Sequence, residues 1–297
     1  MYYNEDTIIY HNGEFVKAID AKADVYDTSL HYGYAVFEGI RSYSTINGVK
    51  IFKAKEHFER MQFSAKAVGI PYPYKNEELI AISYEVLKRN NLEDGYLRPI
   101  VTCPPNMSLT GATSSQITIA AWPWGKLLGE KLVRLKTSSY RRISPLSFVV
   151  EAKVSGHYVN SILASKEARD SGYDEALLLD INGFVAEGPG ANFFYEKDNV
   201  LFTPQCGSIL PGITRATVLE ICKALDIEVV EKQITPEEVY NADSAFYCGT
   251  AAEVTGIESL DDKKFPKNWN ETIGAVVQQA YKMLVLEKGI KPIEKVA

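Results

Sequence analysis

The sequence predicts a two-domain protein of mixed α/β (α+β) class: a small α+β domain, then a larger domain of mixed β-structure with flanking helices. Three observations predict it. The chain has 297 residues, about twice the usual domain size. Two Asn-Gly pairs, each set between strand-like runs, give strong hairpin signals in the first fifty positions. At mid-chain WPWGKLLGEK, punctuated by Pro123, Gly125 and Gly129, is neither periodic nor strongly polar and so reads as a connector. The expected division is a small domain over 1–123, an interdomain loop over 124–133 and a large domain over 134–297.

Taken in order, IIYHNGEFVKAI turns at Asn12 and Gly13, and STINGVKIFKA turns at Asn47 and Gly48. AKEHFERMQFSAKAVGI places Phe58, Met61, Ala65 and Val68 on one helical face, and a second helix starts at Asn76 and runs to about Asn90. Strands follow at YLRPIVTC and SQITIAAW, closing the first unit near Trp122. Beyond the connector, LVRLKTSSY is strand-like and HYVNSILASKEARDSGY is helical. EALLLD, FVAEG, NFFYEK and VLFTP read as short strands. ITRATVLEICKALDI offers Thr214 as N-cap and Val218, Ile221, Cys222 and Leu225 as its buried stripe. From Lys263 onward a final amphipathic helix is expected, with a basic tail.

Composition excludes several classes. At 46% hydrophobic and 24% charged the chain is far from the disordered corner. Its formal net charge of −6, with scattered basic residues, gives no footprint for nucleic acid. Cys103, Cys206, Cys222 and Cys248 form no CxxC pair, and His11, His31, His57 and His157 lie apart, so no metal site and four reduced, mostly buried thiols are expected. No stretch approaches the roughly 18 apolar residues of a membrane span, which makes the cytosol the expected location.

Individual residues carry weaker signals. In LPGITRATVL, Gly212 precedes a helix whose first-turn N–H groups at Ile213 and Thr214 would stabilise an anion. In FYCGTAAEV a strand ends at Gly249 and Thr250, leaving room for close backbone approach and a hydroxyl donor. Taken alone, both read as ordinary element ends, because capping is so common. Arg60 reads by itself as a solvated helix arginine. Lys153, after an apolar run and beside Ala152, Val154, Ser155 and Gly156, could be desolvated enough to act as nucleophile and base, but from local sequence alone it reads as a surface lysine. Glu187 ends a strand beside a glycine-rich turn, where burial would demand a cationic partner.

The ordered series is more specific than any member of it. YAVFEGIR, EHFERM, AKVSG, EGPGAN, LPGITR and CGTAAE occur in this sequence over about Asn12 to Ile257. The chain thereby resembles the branched-chain aminotransferases of the fold-type IV pyridoxal-phosphate family. The resemblance implies two domains with the cofactor in the cleft between them. It implies that Lys153 binds pyridoxal 5'-phosphate (PLP) as a Schiff base and moves the proton at the substrate Cα. Glu187, in the EGxG motif, would face the pyridine nitrogen and Tyr158 the ring's phenolic oxygen. Arg60, the backbone at Ile213 and Thr214, and Thr250 would hold the phosphate. Tyr32, Phe37, Gly39 and Trp124 would line an apolar substrate pocket, with Tyr96 and Arg98 on its carboxylate-binding side and the backbone at Thr250 and Ala251 on the α-carboxylate. His157, Ala191, Leu127 and the MSLTG segment depart from the pattern and bear on substrate choice rather than on the cofactor.

The activity so implied is amino transfer between L-leucine, L-isoleucine or L-valine and 2-oxoglutarate, in a homodimer or dimer-based hexamer where a neighbouring subunit completes the pocket. The same fold admits D-amino-acid or (R)-amine transaminases and aminodeoxychorismate-type lyases. YAVFEGIR and GYLRP favour the L-specific group, and pyruvate release without an acceptor would mark a lyase. A catalytically silent scaffold is the reading from another class, and the intact cofactor set argues against it.

Overall fold

In the computed structural model, residues 2–125, 128–129 and 131–288 are described. They fall into two compact units: Met1–Gly125 with Ala152–His157, and Lys126–Glu151 with Tyr158–Ala297.

The first unit opens with β1 (Ile8–His11) and β2 (Glu14–Lys17), paired antiparallel with His11 opposite Glu14. Asn12 and Gly13 both have positive φ, 46° and 104°, as a type I′ turn requires. After α1 (Thr28–Tyr32) and β3 (Val36–Phe37) comes the second hairpin, β4 (Ile40–Thr45) and β5 (Gly48–Ile51). Its Asn-Gly pair is used differently. Gly48, at φ 102°, stands opposite Thr45, and the Thr45 hydroxyl accepts from the Asn47 N–H and donates to the Gly48 carbonyl. Helices α2 (Ala54–Ala67) and α3 (Asn76–Arg89) follow, then β6 (Tyr96–Thr102) and β7 (Gln116–Trp122), antiparallel along their whole length. Among the described residues the sheet has seven strands in the order β2-β1-β7-β6-β4-β5, with β3 on β6. Phe58, Met61 and Ala65 of α2 pack with Leu87, Leu97 and Ile117 into its core; Val68, expected on that stripe, is the helix C-cap and only half-buried.

The segment Ala152–His157 belongs to this first unit, although the sequence reading placed it beyond the connector. The backbone explains why. Val154 bridges Val36, the Phe37 N–H donates to the Lys153 carbonyl (3.2 Å), and the Ser155 and Gly156 N–H groups donate to Ala35 and Gly33 carbonyls (2.8 and 3.0 Å). Gly33, at φ 65°, lies so close that a Cβ on it would stand 2.8 Å from the Gly156 Cα. Ala152 and Val154 enter the same hydrophobic core.

The second unit contains β8 (Val133–Arg141), α4 (Tyr158–Asp170), β9 (Glu175–Leu179), β10 (Val185–Glu187), β11 (Asn192–Lys197) and β12 (Val200–Pro204). It continues with α5 (Ile213–Ala224), β13 (Val229–Lys232), α6 (Pro236–Tyr240), β14 (Ser244–Gly249), β15 (Glu253–Leu260), β16 (Lys263–Lys264) and α7 (Ile273–Val285). The sheet runs β10-β9-β8-β15-β14-β11, and a pairing of Glu187 with Asn192 joins β10 to β11, closing a barrel. Phe193, Leu135, Leu177 and Tyr247 lie in its core. Residues 289–297, where the basic tail was expected, lie outside the described residues, as does Leu127. Cys103, Cys222 and Cys248 are buried free thiols and Cys206 is exposed. Among the described residues no helix is long and apolar enough to cross a membrane, and no group of three His, Cys, Asp or Glu is placed to hold a metal.

Candidate active site

In the first unit the expected substrate residues gather around the ends of β3, β4 and β6. Tyr96 is buried, with its ring 4.6 Å from that of Trp124 and 5.3 Å from that of Trp122. Gly39 has to be glycine here, because a Cβ would fall 1.9 Å from the Tyr96 hydroxyl oxygen. Arg98 donates to that hydroxyl at 3.1 Å and lies over the Phe37 ring at 4.7 Å. Its Nε is buried without a hydrogen-bond partner among the described residues, as is Nε1 of Trp122. Lys153 Nζ lies 5.0 Å from the same Phe37 ring, and the Lys153 N–H is held by the Ser64 hydroxyl at 2.9 Å. Tyr32 ends α1, and its half-exposed ring tilts against His31 rather than against the other candidates.

Arg60 is not the solvated arginine that its isolated letters suggest. Its Nε and Nη2 donate to the two oxygens of Glu38 at 2.7 and 2.8 Å, and His57 Nδ1 stands 2.7 Å from Glu38 Oε2. Glu38 is wholly buried. Burial alone would raise its carboxyl, but Arg60 and His57 outweigh it and hold it well below the usual carboxylate range. Burial also pushes His57 below its ordinary value against the opposing pull of Glu38, and the positive charges of Arg60 and Lys153 reinforce this.

In the second unit Glu187 sits at the seam where the barrel closes. It is buried, and the cationic partner that burial demands is Arg142, whose Nε donates to Oε1 at 2.6 Å. Asn192 Nδ2 donates to Oε2 at 3.0 Å, and the Leu210 N–H reaches both oxygens at 3.1 and 3.2 Å. Leu210 leads into α5, whose N-cap is Gly212 with no side-chain cap. Thr214, expected as that cap, is instead inside the helix and buried, since the chain already turns helical at Ile213. A Cβ on Gly212 would come within 2.0 Å of Asn192 Oδ1. A Cβ on Gly249 would lie 3.1 Å from the Gly190 carbonyl oxygen and 3.5 Å from the Ala191 Cα, so the turn of Thr250 and Ala251 starts beside the EGPG loop. Tyr158 opens α4.

Sequence reasoning missed Glu38, His57, Arg142 and Asn192. His57 and Arg60 stand three apart on one helix, a spacing that places them together. Arg142 follows another arginine in a stretch without period, and nothing local marks it.

Residues 35–260 match the family described as amino-transferase class IV. The chain belongs to this class IV aminotransferase family. A curated branched-chain-amino-acid aminotransferase of Pseudomonas aeruginosa is 40% identical over 291 residues, covering 96% of this chain and 95% of its own. The solved Escherichia coli branched-chain amino acid aminotransferase aligns with TM-score 0.92 and 37% identity, over 97% of this chain and 98% of that one. The branched-chain amino acid aminotransferase from Thermobaculum terrenum, solved in its PLP-form, aligns with TM-score 0.90 and 29% identity, over 96% of each chain. In this class IV aminotransferase the matched region thus spans Phe37, Arg60, Lys153, Glu187, Gly212 and Thr250 together, and the expected fold-type IV class holds.

Proposed function

We propose that this aminotransferase exchanges the amino group between L-branched-chain amino acids and 2-oxoglutarate, with pyridoxal 5'-phosphate as cofactor. The observation that carries the reading is Glu187, a buried carboxylate held by Arg142, Asn192 and the Leu210 N–H beside a helix start that no side chain caps. These residues fit the cofactor: a fixed carboxylate suits a protonated ring nitrogen, and a helix start whose N-cap, Gly212, makes no side-chain cap hydrogen bond suits a phosphate. PLP, when bound, supplies the carbonyl that takes the amino group and the ring that withdraws electrons from the substrate Cα.

The chain's own residues do the rest. Lys153 Nζ would carry the proton between the substrate Cα and the cofactor C4′, steadied by the hydrogen bonds on its backbone N–H and carbonyl. Glu187 keeps a proton on the ring nitrogen and Tyr158 donates to the phenolic oxygen. Arg60, Ile213, Thr214 and Thr250 hold the phosphate, while the backbone at Thr250 and Ala251 holds the α-carboxylate. Phe37, Tyr32, Gly39 and Trp124 bound the side-chain pocket and exclude water. Arg98, half-buried among aromatics with its buried Nε unmatched among the described residues, supports a role in holding the second carboxylate of glutamate alongside Tyr96. We further propose a homo-oligomer as the working form.

The test is the visible absorption of the PLP-loaded protein on adding L-leucine, then D-alanine, with no oxo acid present. Loss of the visible band with L-leucine alone is expected, and Lys153→Ala should retain PLP without that response. A response to D-alanine only would move the enzyme to the D-specific branch.

A further inference from the structure

Why the first unit buries a Glu–His–Arg cluster is not explained by stability. A buried ion pair often contributes no more than apolar side chains of equal volume, because desolvation offsets the attraction. Glu38 lies in the short link between β3 and β4, where its N–H donates to the Pro99 carbonyl at 2.9 Å, so the carboxylate starts from a fixed backbone. Arg60 lies on α2, off the helix's Phe58–Met61–Ala65 stripe, yet its side chain is only 11% exposed. The pair is bidentate, and His57 adds a third donor to the same carboxylate. A guanidinium held edge-on by both carboxylate oxygens has lost the torsional freedom of a long side chain before any ligand arrives.

We propose that Glu38, steadied by His57, is the positioning residue that fixes the Arg60 guanidinium for the cofactor phosphate. This rests on the PLP reading above. Two effects of Glu38 oppose each other. Its negative charge weakens the pull of Arg60 on an anion, whereas its geometry aims that pull. A neutral, isosteric replacement therefore has opposite consequences under the two accounts: charge alone predicts tighter phosphate binding, and positioning predicts weaker. Substituting His57 leaves both charges of the Glu38–Arg60 pair in place and removes the ring nitrogen that stands 2.7 Å from the carboxylate.

The experiment measures dissociation constants of the apoprotein for PLP and for pyridoxal, which lacks the phosphate, in wild type, Glu38→Gln, Arg60→Ala and the double variant. A hydrogen bond to a charged group lost from the site corresponds to a change of about tenfold or more. The expected result is that Glu38→Gln weakens PLP by roughly that factor and leaves pyridoxal unchanged. The double variant should bind PLP no more weakly than Arg60→Ala alone. Equal weakening of both ligands, tighter PLP binding, or additivity with Arg60→Ala would overturn the proposal. Should Glu38→Gln not fold, His57→Gln decides by the same PLP-to-pyridoxal comparison. Wild-type protein that binds pyridoxal as tightly as PLP would overturn the phosphate reading itself, and the positioning role with it.

Discussion

His57 shows how one side chain ties stability to pH. In the folded chain, burial holds its proton affinity below the ordinary value of 6.5, while in the unfolded chain it titrates normally. As pH falls through about 6.5 the unfolded state gains a proton that the folded state does not, so stability present above that pH is lost below it. The slope for one proton is about 1.4 kcal/mol per pH unit. Thermal melts from pH 7 to pH 5 should therefore decline more steeply for wild type than for His57→Asn, and parallel curves would refute the assignment. Neither His57 nor Glu38 was legible as a partner of Arg60, because their meeting depends on the β3–β4 link reaching α2. Lys153 and Glu187 were legible because their motifs are local.

At the level of elements, the start of α5 concentrates the most constraint in the fewest residues. Gly212 has ordinary extended backbone, φ −69°, so its glycine is demanded by space and not by conformation. An added methyl would strike Asn192, which holds both Glu187 Oε2 and the Leu210 carbonyl. Gly212→Ala should cost about 1–3 kcal/mol in urea unfolding, the usual range for overpacking, and should also weaken PLP retention. Unchanged values in both would show that Asn192 yields freely. The sequence pattern recovered the helix but misplaced its cap by choosing the residue with a hydroxyl. The hairpins make the same point in reverse: both Asn-Gly pairs turn the chain, yet only the first turns as Asn-Gly pairs usually do, because Thr45 captures the second.

For the whole molecule, α4 carries its apolar residues on the wrong side for a monomer. Val159, Ile162 and Leu163, at i, i+3 and i+4, are exposed, whereas the helix buries Ser161, Ala164 and Ala168. Leu146 is 89% exposed and Phe148 52% exposed on the same unit, and Leu109 is 85% exposed on the other. Such surface supports association with a second copy. Light scattering should return a multiple of the 33.1 kDa chain, and Ile162→Asp should lower that mass; a fully active monomer would remove the idea.

The short segment around Lys153 also governs how this gene can be cut. The polypeptide passes between the units after Gly125, after Glu151 and after His157. An amino-terminal fragment ending at Gly125 would lack Ala152 and Val154 from its core and leave the backbone of Ala35 and Phe37 without its partners. Chimaeras with related enzymes should therefore exchange residues 152–157 together with the first 125, using three crossover points, and a single crossover at the connector would pair one parent's scaffold with the other parent's lysine.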